Sequence, residues 1–384
     1  MKRRILTAVI LGMAIGTLAG CGGQNNGAEK EKARTEQAGQ DEQTEKKEES
    51  ASTAVGTEAK AAGESEGEAA SEVMVRPEGY PGGDFQIFIK ASAGSANDRT
   101  MRAYATELEK ILGVTITPNT NSVPQPIIYA DLTSEPSDGR AYCNILIPNA
   151  MNYYSESKAA GCVPLTDYKL VCNLQADAIT VSVRADDERF KDIKDLKELF
   201  QYFQDHPDQE VLMGVNSVGG DGEIALYRLI RYYEKQGANM DQLVVVNTQG
   251  QQDTNASFLG KNTDILFCTV GGIQTLYKDK EVRVLGVLSE ERSQFLPDVP
   301  SSKELGIDVE SALCVGIGMH PDTDDEIVDY LSQCFGQIAS DQAFQDMMKE
   351  NSLDITYMDR KEYEEFMAAQ QTEIEEIYQW VKTR

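Results

Sequence analysis

Val211-Leu212-Met213-Gly214-Val215 runs into Asn216-Ser217-Val218-Gly219-Gly220-Asp221-Gly222, and then into Ile224, Tyr227, Ile230 and Tyr233 at helical spacing. A short apolar run, a glycine-rich turn and a 3.6-residue stripe predict strand, tight turn and helix. The same order stands upstream. Phe85 to Ile89 is β-rich, Lys90 to Asp98 is a turn of small residues, and Met101, Tyr104, Ala105, Leu108, Ile111 and Leu112 form a helical stripe ending at Gly113.

Working outward, Ile145–Ile147, Ile179–Val183, Leu243–Val246, Ile265–Cys268 and Val282–Leu288 read as further strands. Thr323-Asp324-Asp325-Glu326 fits a capping box before an apolar stripe from Ile327 to Ile338, and a last helix is expected from Arg360 to Lys382. Strand–helix alternation predicts an α/β fold with mostly parallel sheets. The roughly 300 residues of this region are large for one core, so two lobes are expected.

Both turns are candidate anion seats. Small residues let the backbone approach a ligand, and a helix start offers unpaired N–H groups at a positive dipole end. The structural alternative is tight-turn geometry with Asp98 and Ser217 as caps. Gly214 to Gly219 has the spacing of a phosphate loop, but Gly220 stands where the lysine belongs, so nucleotide hydrolysis is not supported. No Gly-x-Ser-x-Gly elbow occurs.

The whole chain carries 63 acidic and 36 basic residues, a formal charge of −27. Such a surface is repelled by nucleic-acid phosphates and anionic head groups, so neither is an expected partner. Two histidines, His206 and His320, cannot build a multi-histidine metal site, and neither is expected to be catalytic. No metal or cofactor is expected. No Cys-x-x-Cys occurs. Cys143, Cys162, Cys172, Cys268, Cys314 and Cys334 are irregularly spaced, several in apolar runs, and are expected as free core thiols.

The N-terminus has its own order. Basic Met1–Arg4 precedes an uncharged apolar run and then Leu18-Ala19-Gly20-Cys21. That is a secretory signal, its core shorter than the ~18 residues of a membrane span. The cut-site residues resemble the bacterial lipobox, which implies a signal peptide over 1–20 and lipidation at Cys21. From Gly22 to Arg76 there is no Leu, Ile, Phe, Tyr or Trp, so 21–76 is expected to be a lipid anchor and disordered acidic tether.

From about Tyr80 to Lys382 the chain resembles the substrate-binding proteins of tripartite tricarboxylate transporters, the Bug (TctC-like) family. Tyr80-Pro81 opens the match. Ala93-Gly94-Ser95-Ala96-Asn97-Asp98 with Arg102 is similar to the family's first loop, though Ser92 and Ser95 replace a proline and a glycine. Pro136-Ser137-Asp138-Gly139, Asn216–Gly222, Val246–Gly250 and Leu259–Asp264 follow in family order, with Asn247-Thr248 replacing Pro-Tyr. Val284-Leu285-Gly286-Val287 followed by Arg292, then Leu296-Pro297-Asp298-Val299-Pro300 and Glu304-Leu305-Gly306, are the most specific segments.

The resemblance implies a two-lobe periplasmic-binding-protein-like fold of type II with a hinge. Lobe one is expected over 77–182 and 312–384, and lobe two over 183–311, with crossings near Val181–Arg184 and Ser311–Val315. It implies a ligand site of Ser92, Gly94, Ser95, Asn97, Asp98, Asn149, Asn216, Ser217, Gly219, Gly220, Thr248 and Thr269. The amides of Gly94, Ser95, Gly219 and Gly220 are expected to hold one carboxylate. It further implies a receptor, expected to be a monomer, that hands a small carboxylate to large and small permease subunits, while the lipobox and long acidic tether lead us to expect anchoring at the outer face of a Gram-positive cell membrane. Two alternatives are a receptor that feeds a signalling system and a surface enzyme on the same scaffold.

Overall fold

The computed structural model describes residues 74–151 and 165–384. The signal peptide, Cys21, Cys162 and nearly all of the expected tether lie outside the described residues.

Lobe one is built on β1 (Phe85–Lys90), β2 (Ile116–Asn121) and β3 (Ala141–Ile147), with α1 (Ala96–Leu112) and α2 (Gln125–Ser134) between them. β1 pairs in parallel with both β2 and β3. Side-chain alternation sorts β1 onto two cores. Phe85, Ile87 and Ile89 pack with Met101, Tyr104 and Leu108 of α1. Phe88 packs on the other face with Ile128, Tyr129 and Leu132 of α2. Gly113 ends α1 in the left-handed region at φ 73°, where a side chain would be strained.

Lobe two holds β5 (Val211–Val215), β6 (Leu243–Asn247), β7 (Ile265–Thr269) and β8 (Val282–Val287). Its helices are α3 (Leu196–Asp205), α4 (Asp221–Lys235), α5 (Gln251–Leu259) and α6 (Val270–Lys278). β5 pairs in parallel with β6 and β7. Ile265 and Phe267 face one core while Leu266 and Cys268 face the other.

The lobes are joined by β4 (Lys169–Arg184) and β9 (Ala312–Met319). β4 pairs antiparallel with β9 up to Ala178, then with β7 and β8 from Ile179 and Thr180 onward. The partner change comes a few residues earlier than the crossing expected at Val181–Arg184. Ala178 faces Ala312, so both connections cross side by side. The sheets are mixed rather than mostly parallel, because every pairing of β4 and β9 is antiparallel. A chain that leaves a lobe and returns beside itself must run both ways at the hinge.

α7 (Asp325–Ser340), α8 (Gln342–Glu350) and α9 (Arg360–Thr383) complete the chain. Asp324 caps α7 alone, and the capping box forms instead at Asp359 and Glu362. α9 does not belong to lobe one alone. At 24 residues it is roughly 36 Å long by helical rise, enough to reach across both lobes. Tyr363 and Met367 enter a lobe-one core. Ile374 and Ile377 pack on Ile224 of α4, and Trp380 on the lobe-two core.

The last residues assigned to the tether also touch the body. Arg76 donates to Tyr330 Oη at 3.0 Å and to the Ile111 carbonyl at 2.6 Å, while Met74 packs against the lobe-one core. A guanidinium at the carbonyl end of α1 explains the docking, which the low apolar content did not signal. Cys143, Cys172, Cys268, Cys314 and Cys334 are free and buried.

Candidate functional site

The twelve expected site residues gather at one kind of place. Ser92 to Asp98 follow β1, and Asn149 follows β3. Asn216 to Gly220 follow β5, Thr248 follows β6, and Thr269 ends β7. These are the carboxyl ends of the parallel strands, where open α/β sheets bind ligands. The start of α1 from lobe one approaches the start of α6 from lobe two. A Cβ built on Gly271 would lie 3.6 Å from Ala96 Cβ and 2.8 Å from Asp177 Oδ2 of the hinge strand.

The four amides assigned to the carboxylate have acceptors within their own loops. Gly94 donates to Asp98 Oδ2 at 2.8 Å, and Gly219 donates to Glu223 Oε2 at 2.5 Å. Ser95 donates to the Ser92 carbonyl, and Gly220 to that of Ser217. The two loops share one device. A glycine in the left-handed region, φ 78° for Gly94 and φ 68° for Gly219, gives its N–H to an acid four residues later. Only glycine adopts that backbone cheaply.

Asp98 is therefore a loop lock. Its carboxylate also accepts from Arg102 Nε at 2.9 Å and Thr120 Oγ1 at 2.5 Å. Burial alone would raise its carboxyl, but the bonds from Thr120, Gly94 and Arg102 hold it below the usual range. Nor does it cap α1. Ser95 is the cap, its hydroxyl 3.5 Å from the Asp98 amide. Gly220 rather than Ser217 precedes α4. Glu223 is a second lock, accepting from Tyr227 Oη and Asn247 Nδ2 as well as Gly219.

The free donors lie two residues further on. The first N–H groups of a helix have no intrahelical acceptor. Ala96 and Asn97 open α1, and no acceptor among the described residues takes their N–H groups. On α6, Thr269 Oγ1 accepts from Gly272 at 3.1 Å, so Thr269 is a cap. Thr248 is also internal, bonded to the Val215 carbonyl and Thr254 Oγ1.

Sequence reasoning missed the two acids at the lobe junction. Asp177 accepts from Gly271 at 3.1 and 3.2 Å. Burial pushes its carboxyl up to about 7 against the bonds from Gly271 and Thr269, with Asp221 and Asp354 adding repulsion. Asp221 is 1% exposed, and burial raises its carboxyl too. Its Oδ1 accepts from Asn216 at 2.9 Å and, across the lobes, from Asn149 at 3.3 Å. An acid at the first position of a helix, directly after a glycine turn, was the available signal.

A cavity of about 900 Å³ opens along the hinge, walled by Asp177, Val270, Arg228, Phe295, Asp354 and Gln370 among others. It shares Asp177 with the junction but is lined by none of the twelve expected residues. Among the described residues no group of three His, Cys, Asp or Glu is placed to hold a metal ion.

Residues 101–382 match the family described as tripartite tricarboxylate transporter family receptor. The chain belongs to that family. It is an extracytoplasmic solute-binding receptor of the tripartite type, a family that binds small carboxylates. It is 23% identical over 305 residues to the UPF0065 protein in the gbd 5′ region of Cupriavidus necator, covering 79% of this chain and 88% of that one. A protein of R. palustris solved with adipate superposes with a TM-score of 0.66 at 17% identity, over 78% of this chain and 97% of that chain. MatC from Rhodopseudomonas palustris with bound malate gives 0.61 at 14% identity, over 78% and 99%. At these identities the two structures establish the receptor fold. No helix among the described residues is long and apolar enough to cross a membrane.

Proposed function

We propose that this receptor is lipid-anchored through Cys21 at the outer face of the cell membrane, captures a small carboxylate between its lobes, and passes it to membrane permease subunits. One observation carries the binding step. The N-termini of α1 and α6, from opposite lobes, approach each other at the hinge, where a side chain added at Gly271 would come to 3.6 Å from Ala96 Cβ. The start of α6 already meets the Asp177 carboxylate through Gly271, so the positive end left open to an anion is that of α1. The free N–H groups of Ala96 and Asn97 are the donors of lobe one, with Ser92 and Ser217 at the rim. Net negative charge slows approach of an anion but does not set the local site.

A thermal-shift screen of small carboxylates against the full chain tests the binding step. A carboxylate that binds only the folded state raises the melting temperature in proportion to RT ln(1 + [L]/Kd). If uncharged analogues stabilise the chain and no carboxylate does, the reading is wrong. Mass spectrometry of the N-terminal peptide from the exporting cell tests the anchor, and an unmodified Cys21 contradicts it. Deleting the chain should abolish uptake of the same acid, and unchanged uptake would remove the permease step.

A further inference from the structure

The junction between the lobes is rich in acceptors that have no donor among the described residues. Among the described residues no donor reaches Asn149 Oδ1, Asn216 Oδ1 or Asp221 Oδ2, and all three atoms are buried. They belong to one cluster, because the amide groups of both asparagines donate to the same Asp221 Oδ1. Asn149 comes from lobe one, while Asn216 and Asp221 come from lobe two. Buried polar atoms in native proteins are normally paired, and an unpaired one is costly. Three in one cluster, drawn from both sides of a binding cleft, point to a missing donor.

The chemistry of that donor is constrained. A carboxylate brings only acceptors and would leave all three oxygens unpaired. An alkylammonium brings three donors and no acceptor, the complement of a cluster of acceptors. The charge also fits, because Asp221 lies at 1% exposure with no basic side chain bonded to it among the described residues. The Asn149–Asp221 bond is 3.3 Å, the longer of the two that meet at Oδ1, and it is the one that must break when the lobes part. Parting exposes the oxygens, and closing over a ligand would pair them.

We infer that Asn149, Asn216 and Asp221 form an ammonium subsite beside the carboxylate seat, so that the ligand is an amino acid rather than a plain or hydroxylated carboxylic acid. This rests on the carboxylate reading above and narrows it to one substrate class. The zwitterion puts its carboxylate at the start of α1 and its ammonium against Asp221. It also removes a conflict, because a dianion would lie against the acids Asp177 and Asp221, whereas a zwitterion brings its own positive charge to them.

Calorimetric titration of the full chain with the common L-amino acids, and with the matching hydroxy and unsubstituted acids, tests this. L-Aspartate, L-malate and succinate form one such set, and L-glutamate, 2-hydroxyglutarate and glutarate another. In the matching set an amino acid should bind about tenfold or more tighter than its two counterparts, since a site built to bond a group rejects the analogue lacking it. Asp221→Asn should shrink that ratio to a few-fold, and Asn149→Ala, in the other lobe, should shrink it as well. The second variant decides the matter if the first does not fold. Equal or tighter binding of an unsubstituted or hydroxy acid overturns the ammonium subsite while leaving the carboxylate receptor standing. Undiminished amino-acid preference in both variants overturns the residue assignment. Binding of no carboxylate of any kind overturns both readings.

Discussion

Asp177 rests on the Gly271 amide, which reaches both of its carboxylate oxygens at 3.1 and 3.2 Å. The contact ties the hinge strand β4 to the start of α6 and puts an acid at the centre of the lobe junction.

That acid gives the fold a pH signature. Its folded carboxyl titrates at about 7 against an ordinary 3.8, so the folded chain holds this proton more tightly than the unfolded one. The stabilisation is fully present below the ordinary value and is lost as pH rises toward about 7. Asp177→Asn keeps an acceptor for Gly271 and removes the titration. Its melting temperature should therefore rise relative to wild type between pH 4.5 and 7.5, two settings chosen to span most of the loss. Parallel melting profiles for the two proteins would show that Asp177 does not carry this proton.

Arg228 should matter for how α9 holds lobe two. Its guanidinium makes a bidentate pair with Glu373 at 3.0 and 2.7 Å and also reaches Gln370 and Ser311. Arg228 is 10% exposed and Glu373 is 41% exposed, so solvent screens the pair in part. Glu373→Gln should cost about 1–2 kcal/mol, a few degrees of melting temperature. Trp380, the only tryptophan, lies on the same helix with its ring 6.2 Å from that of Tyr227. Its fluorescence should shift before global unfolding in the variant. Coincident transitions and an unchanged melting temperature would show the pair to be idle.

The boundary of the folded body should fall before Met74 rather than at Pro77. A chain starting at Val73 keeps the Arg76 bonds to Tyr330 and Ile111 and the Met74 packing. A chain starting at Pro77 loses them and should melt lower by a few degrees, the effect of about 1 kcal/mol in a protein of this size. Equal melting temperatures would mean that these contacts contribute nothing.

How much was legible in the sequence follows from what each segment must satisfy. The strand–turn–helix units around Gly94 and Gly219 were readable, because period and glycine placement both reflect local demands. β2 was not. Its Ile-Thr-Pro-Asn-Thr-Asn pairs only with β1, and it shows no apolar alternation. The first half of β4 was missed because Asn173, Gln175 and Asp177 look like a loop. Inside, they are paired with the Thr356 carbonyl, Thr100 and Gly271. At the site, the sequence does not reveal that the loop amides have acceptors of their own. Gly94 and Gly219 are bonded by Asp98 and Glu223, and that fold-back depends on a side-chain rotamer that composition does not reveal.

The most direct test of the carboxylate seat uses proline as an eraser of one N–H group. Ala96 is the first residue of α1, a position that proline tolerates, and Ser95 before it has φ −65° and ψ 167°, the extended backbone a proline requires of its predecessor. Ala96→Pro should therefore fold as wild type and lack one donor to the ligand. Calorimetry with the tightest-binding carboxylate should show an affinity loss of about ten- to a hundredfold, the worth of one charge-assisted bond. A folded Ala96→Pro that binds that carboxylate as tightly as wild type would contradict the account.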